Sequence, residues 1–281
     1  MKCYNNSAMK YAIDHDYHIH SQLSSCSSDP GQTTGAILDY ARKNKFRQIC
    51  LTDHFWDADV PGASEWYAAQ DFAHVSQALP LPQSPDCRFL FGCEGEMDKF
   101  RTMGIGAEKY GKFDFMIVPT NHLHMRGFTI EIEDCESQER RATLCAERFG
   151  ALLDSGMPLG KMGVAHLTCS LLAGGGGGKY KGEHIDIIDL IPDEKWGGLF
   201  SRAAKLGLGI ELNMGLKDLD DDQLRRMFRP YFIARECGCK FYLGSDAHHP
   251  GDLEEAPARF EAMVSFLQLE EKDKYHIPGA E

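Results

Sequence analysis

Seven short motifs in this chain end in residue types that can hold a metal ion. They contain Asp16, His18 and His20; Asp53 and His54; Glu94 and Glu96; Asn121, His122 and His124; His166; Glu211 and Asn213; and Ser245, Asp246, His248 and His249. Eight of the twelve histidines of the chain fall within these motifs, and no Lys or Arg interrupts them. Neutral imidazole and carboxylate are donors to Zn, Mn and Fe, and a carboxylate can bridge two ions. His18 and His20 lie two residues apart, so on a strand they face the same way and can serve one ion. Reading all of these as core histidines would require unrelated segments to share one habit. A catalytic zinc takes three protein donors and a water. Eight or nine candidate donors are enough for two or three ions. Closely spaced divalent ions stabilise both the entering and the leaving oxygen of an in-line displacement at phosphorus, and metal-bound water reaches a pKa of about 7. Such chemistry needs no Ser or Cys nucleophile. Ser24 and Cys26 lie near His20, but no separate acid–base pair accompanies them.

The donors need elements to bring them together. Seven apolar stretches of strand length precede or hold the motifs: Tyr11–Ile13 running into Tyr17–Ile19, Gln48–Leu51, Arg88–Phe91, Phe115–Val118, Met162–Ala165, Leu208–Leu212 and Lys240–Leu243. Each carries β-branched or aromatic residues. Segments of helical character separate them: Thr34–Lys45, Ser64–Leu79, Asp134–Ser155, Asp193–Leu206, Asp220–Cys237 and Asp252–Leu269. Gly156, Gly207 and Gly238 mark three of the helix ends. This alternation predicts parallel strands with crossover helices, in a barrel or a doubly wound sheet. In a barrel the C-terminal strand ends share the face where active sites sit, and all seven motifs would meet there. No linker or composition shift divides residues 1–281, so a single domain is expected. The run Gly174–Gly178 reads as a flexible surface loop, or as the hinge of a lid carrying Lys179 and Lys181.

Composition narrows the function classes. Among 281 residues, 42 are acidic and 30 basic, a formal net charge of −12. That balance argues against nucleic acid as the partner, since nucleic-acid binders carry a basic footprint, although bound cations would offset it locally. At 43% hydrophobic and 26% charged, the chain has ordinary globular composition. No apolar run has transmembrane length and residues 1–15 show no secretory signal, so neither a membrane nor export is expected. The ten cysteines are scattered, and Cys237 and Cys239 are too closely spaced for a zinc knuckle; reduced thiols in a cytoplasm are expected. Oligomeric state has no signature in the sequence.

From Asp16 to Asp252 the motifs together resemble the PHP (polymerase and histidinol phosphatase) superfamily of metal-dependent phosphoesterases. The resemblance implies an α/β fold, a single distorted (β/α)7 barrel, with two to three divalent ions (Zn, Mn or Fe) at the C-terminal strand ends. His18, His20, Glu94 and Asp246 are implied as ligands of a first ion. Glu94 would bridge to a second, held also by His122 and His166. His54 and His248 are implied for a third. The family often adds a ligand soon after the H-x-H pair; Ser21 to Cys26 holds no His, so Cys26 or Asp29 would substitute or the third site would be weak. Glu94 is preferred to Glu96 because Gly92 precedes it as in the family pattern. Asp16 and Asn213 would orient the ligands.

The implied activity is hydrolysis of a small phosphomonoester such as histidinol phosphate, by attack of a hydroxide held between the ions. Glu94, Asp246, His248 and His249 are the candidate catalytic groups, with His248, His249 or a metal-bound water protonating the leaving alkoxide. Histidinol-phosphatase relatives carry an Arg after the E-x-N motif; here Lys217 stands there, a point charge and not a bidentate fork. Arg101 and Arg126 could contact phosphate instead. The alternatives are a nucleotide or oligonucleotide phosphoesterase, and a non-catalytic metal-binding module serving a partner protein.

Overall fold

A computed structural model describes residues 9–174, 178–214 and 219–280. The apolar stretches form parallel strands, and most of the polar motifs follow at their C-terminal ends. In chain order the elements are β1 His15–Ile19, α1 Thr34–Lys43, β2 Gln48–Leu51, β3 His54–Phe55, α2 Glu65–Ala68, α3 Phe72–Val75, β4 Arg88–Gly95, β5 Phe115–Pro119, α4 Gln138–Asp154, β6 Met162–Ala165, α5 Glu183–Asp189, α6 Asp193–Leu206, β7 Gly209–Leu212, α7 Asp221–Glu236, β8 Lys240–Leu243 and α8 Pro250–Phe266. The strands hydrogen-bond in the order β1-β2-β4-β5-β6-β7-β8, all parallel, with the short β3 pairing β4. This is a nearly closed seven-stranded parallel barrel, which decides against the doubly wound alternative.

Two expectations are corrected and two short elements are new. Tyr11–Ile13 is not a strand; Lys10 makes only a single bridge to Glu270. The helix expected over Ser64–Leu79 is broken into α2, α3 and a 3-10 turn, with Ser64 and Asp71 capping the two helices. Both β3 and α5 are too short to leave a periodic signal.

Strand alternation sorts the core into two layers. Phe115 and Ile117 of β5 face into the barrel, with Tyr17, Cys50, Leu90, Ala165 and Tyr242. Met116 and Val118 face the surrounding helices. The C-terminal residues Tyr275, Ile277 and Ala280 join the inner cluster and plug the lower end of the barrel. On β4, Leu90 points inward, so the two-residue period also sends Glu94 and Glu96 inward, higher up the barrel. On β1 the pairing register shifts between Asp16 and Ile19. The bulge lets Tyr17 face the lower core while His18 and His20 face the upper mouth, and Ile19 packs outside.

The seam between β1 and β8 is not a ladder. Leu243 N donates to His15 Nε2 (3.1 Å), Ser245 N to Asp16 Oδ1 (2.9 Å), Asp246 N to His18 O (2.7 Å) and His20 N to Ala247 O (3.1 Å). Closure of the barrel thus sets the first and last motifs side by side. Asp16 also accepts from Tyr40 of α1 (3.0 Å), which fixes it at this seam.

Candidate metal centre

The side chains at the barrel mouth form three overlapping donor groups: His18, His20, Glu94 and Asp246; Glu94, His122 and His166; and His20, His54 and His248. Within each group, one donor atom per residue lies within 4.8 Å of the others. In the first group His18 Nε2 is 3.1 Å from His20 Nε2 and 3.2 Å from Asp246 Oδ1, and His20 Nε2 is 3.1 Å from Asp246 Oδ1. Glu94 Oε2 lies 3.5 Å from His18 Nε2, 3.4 Å from His20 Nε2 and 3.0 Å from His54 Nδ1. Its other oxygen, Oε1, is 3.2 Å from His166 Nε2.

The hydrogen bonds on the far side of the rings show which nitrogen faces the centre. His18 Nδ1 lies 2.7 Å from Glu211 Oε1, so it carries the proton and Nε2 presents a lone pair. His20 Nδ1 donates to Ser24 Oγ (2.9 Å), whose own proton goes to Asp53 Oδ1 (2.7 Å). His122 Nδ1 donates to Glu96 Oε2 (2.7 Å), and Glu96 Oε1 accepts from Arg148 Nη2 (3.1 Å). Arg148 is completely buried and also donates to the carbonyls of Thr120, Asp98, Thr129 and Met97. His166 Nδ1 faces Cys169 Sγ at 3.5 Å, and His248 Nδ1 faces Asp246 O at 2.8 Å. Such partners orient an imidazole for a metal and fix its tautomer.

This arrangement passes a simple test of fit. Four donors about 2.0–2.1 Å from one ion in a tetrahedron stand about 3.3–3.4 Å apart, and the distances from His18 and His20 to each other, to Glu94 and to Asp246 run from 3.1 to 3.5 Å. Bare imidazole lone pairs face carboxylate oxygens there, an arrangement that repels unless a cation or proton lies between them. His54 Nδ1, Glu94 Oε2 and His122 Nε2 are buried without a hydrogen-bond partner, and each points into a donor group.

The electrostatics agree. Burial opposes charge on Glu94, but His54 and His18 outweigh it and hold its carboxyl well below the usual range. Burial likewise opposes charge on Asp246, and His18 and His20 lead the groups that outweigh it. On His18, burial works against the proton, while Glu211, Asp246 and Glu94 raise proton affinity well above the ordinary value. A field that draws protons onto imidazole draws divalent cations too, and the two compete. His124 and His248 are pushed down to about 4, chiefly by burial and then by His122 and His20 respectively, so both are neutral at pH 7. Asp246 (φ 53°) and His166 (φ 22°) hold left-handed backbone, of order 1–3 kcal/mol of strain each.

The other expected residues are placed as follows. His20 joins His54 and His248 in the third group, which no His from the stretch after His20 completes. Cys26 lines the cleft, but desolvation, then Glu94 and Asp246, push its thiol up to about 12. Asp29 accepts from Gly31 N in its own turn and belongs to none of the three groups. Asn213 Nδ2 has no hydrogen-bond partner, and Glu211 orients His18 instead. His249 is exposed at the start of α8 and does not line the cleft. Arg101 pairs with Glu147 and Arg126 with Glu136, and neither lines the cleft. Lys217 and the central glycines 175–177 lie outside the described residues.

The sequence reading names Glu211, Ser24, Asp53 and Glu96 without assigning them as the partners of His18, His20 and His122, and it misses Arg148 altogether. For Glu96 and Glu211 the two-residue strand period could have flagged an inward carboxylate. Arg148 lies in the middle of α4 and gives no local sign.

No protein-family model and no curated protein matches the chain. Among solved structures, it is similar to the histidinol phosphate phosphatase of Lactococcus lactis subsp. lactis, crystallised with zinc, L-histidinol and phosphate. The identity is 18%, the TM-score 0.55, and the match covers 89% of this chain and 93% of that one. The two share a fold.

Proposed function

We propose that this protein is a metal-dependent phosphoesterase acting on a small phosphomonoester. The observation that carries the reading is Glu94, whose two oxygens reach two different donor groups, as a carboxylate shared between two ions must. His18, His20, Glu94 and Asp246 would hold one ion and Glu94, His122 and His166 a second. His20, His54 and His248 are the residues available to a third. Zn, Mn and Fe all suit this donor set. Divalent ions bound there would supply Lewis-acid polarisation of the phosphoryl oxygens and a water of lowered pKa.

In the net reaction, the P–O bond to the alkoxide breaks and a P–O bond from water forms. One water proton ends on the released alcohol. The residues of the chain hold the charge and the geometry for this exchange. Glu211, Glu96 and the Ser24–Asp53 pair fix the rings of His18, His122 and His20. His124 and His248, both neutral at pH 7, line the cleft. The buried Nδ1 of His124 has no hydrogen-bond partner among the described residues.

The net charge of −12 supports a small substrate over a nucleic acid. Histidinol phosphate is one candidate, on the strength of the fold it would share with its phosphatase. A reducing, cytoplasmic setting is supported by the nine free cysteines among the described residues. Among those residues no helix is long and apolar enough to cross a membrane.

The test is elemental analysis after reconstitution with Zn or Mn, followed by a panel of phosphoesters that includes histidinol phosphate, mononucleotides and oligonucleotides. More than one equivalent of metal and turnover of a small monoester are expected. Absence of bound metal rejects the reading, and preference for oligonucleotides rejects the small substrate.

A further inference from the structure

The donor groups open onto a cleft of about 490 Å³, a size suited to a small ligand. Besides the donors it is lined by Trp66 and Tyr67 of α2, both against the ring of His54, and by Cys26, His124, Met125 and Leu171. Among the described residues no Lys or Arg lines the cleft, and its only carboxylates, Glu94 and Asp246, belong to the donor groups. An ester group extending away from a phosphate at the donors would therefore meet neither a cation nor a spare anion.

Trp66 is the distinctive feature. The chain has three tryptophans; Trp56 and Trp196 are buried, while Trp66 is 36% exposed. Its two ring contacts are both edge-type: His54 at 5.0 Å and 68°, and Tyr67 at 4.7 Å and 84°. Neither stacks flat on the indole. Beside it, Tyr67 donates its hydroxyl to Glu96 Oε2 (3.4 Å). An indole with no ring stacked flat on it, in a cleft that Met125 and Leu171 also line, suits a planar apolar group, and offset or edge contact between rings adds to simple burial.

Resting on the phosphoesterase reading, we infer that the substrate is a phosphomonoester whose leaving alcohol is uncharged and carries an aromatic or similarly flat apolar group, with Trp66 as the residue that selects it. Among the described residues that line the cleft, hydroxyls find few partners and extra phosphates no cation, which disfavours sugar phosphates and nucleoside polyphosphates. A free ammonium on the leaving group would likewise find no carboxylate outside the donor groups, which ranks histidinol phosphate, the ester of an amino alcohol, below uncharged aromatic esters.

The experiment compares kcat/KM of the metal-loaded protein for 2-phenylethyl phosphate, ethyl phosphate and glycerol 3-phosphate. All three are alkyl monoesters, so the chemical step is closely matched. Moving a phenyl ring from water onto apolar walls predicts a preference of about tenfold or more for the phenylethyl ester. Trp66→Ala should cut that preference to within about threefold, and Trp66→Phe should restore most of it.

Binding is read separately by acrylamide quenching of tryptophan fluorescence, which reports on Trp66 because the other two indoles are buried. Phenylethylphosphonate should protect the indole and ethylphosphonate should not. Preference for glycerol phosphate, or a phenylethyl preference that survives Trp66→Ala, overturns the inference and leaves the hydrolase reading standing. Protection of Trp66 without turnover of any ester overturns the hydrolase reading and leaves the apolar pocket standing.

Discussion

Glu211→Gln tests the logic of the metal centre with almost no change of shape. Glu211 is fully buried, and both of its oxygens accept: Oε1 from His18 Nδ1 at 2.7 Å and Oε2 from His166 N at 2.5 Å. An amide has one oxygen and one NH2, so one of these two donors must face another donor. If the NH2 meets His166 N, a buried N–H loses its partner, at about 1–3 kcal/mol. If it meets His18, the ring escapes only by moving its proton to Nε2, and that nitrogen then has no lone pair for the first donor group. Either route also replaces a charge-assisted hydrogen bond by a neutral one, roughly half as strong. The expected outcome is a stability loss of about 1–3 kcal/mol in urea unfolding of the metal-free protein. Calorimetric titration with Zn or Mn should show affinity for at least one ion about 10–100-fold weaker. Gly244→Ala should do similar damage from the other side, because a methyl group there would overlap Glu211 Oε1 and crowd His18 Cβ. A Gln variant that binds the same number of ions with unchanged affinity would refute the assignment of Glu211 and the tautomer argument with it.

Three further outcomes follow from the same geometry. Glu94→Gln should cost at least one bound ion and most turnover, whereas Glu96→Gln should chiefly weaken the ion held by His122 and His166; elemental analysis of the two variants distinguishes them, and greater damage from Glu96→Gln would reverse the roles given to the two carboxylates. Arg148→Met removes one member of a wholly buried ion pair and strands four carbonyls, so metal-free stability should fall by about 3–5 kcal/mol, against at most about 1 kcal/mol for Arg101→Met at its half-exposed pair, both measured by urea unfolding. Burial raises the Asp14 carboxyl, but His15 and Lys274 outweigh it and bring it down to about 2; its contribution is complete above the ordinary carboxylate range and is lost as pH falls through about 2, so Asp14→Asn should flatten the acid limb of stability against pH by about 1–2 kcal/mol.

The candidate donors were legible because strand ends in a parallel barrel impose a local pattern. His18 with His20 and Asp246 with His248 announce themselves within a few residues, and Glu94 stands out by its match to the family pattern after Gly92, since the two-residue period of β4 turns Glu96 inward as well. The partners behind them were not legible, since every such contact except those of His20 with Ser24, His166 with Cys169 and His248 with Asp246 spans a long stretch of chain. Glu211 reaches His18 from β7, and Arg148 reaches Glu96 from the centre of α4. The bulge on β1 was hidden as well. Strict alternation places Tyr17 and His18 on opposite faces, and only the pairing with β2 shows both turned inward. The specificity wall escaped for another reason: α2 is four residues long, and nothing in its sequence distinguishes an indole facing a cleft from one facing solvent.

Closing the barrel and assembling the donors are one event in this fold. The hydrogen bonds across the β1–β8 seam involve Asp16, His18, His20, Asp246 and Ala247, the same short stretches that supply the first donor group. That economy carries a cost, because converging lone pairs and two left-handed residues oppose closure at the upper mouth. The lower half supplies the opposing stability. There Tyr17, Phe115, Tyr242 and Tyr275 pack as a ring cluster, with centroids 5.2–6.2 Å apart, and Tyr11 and Tyr275 donate hydroxyl hydrogen bonds to Phe241 O and Gly160 O. A barrel braced at its base by apolar packing can hold a repulsive cluster at its mouth ready for cations. Its donors are then preorganised, so ion binding need not meet the entropy of ordering them.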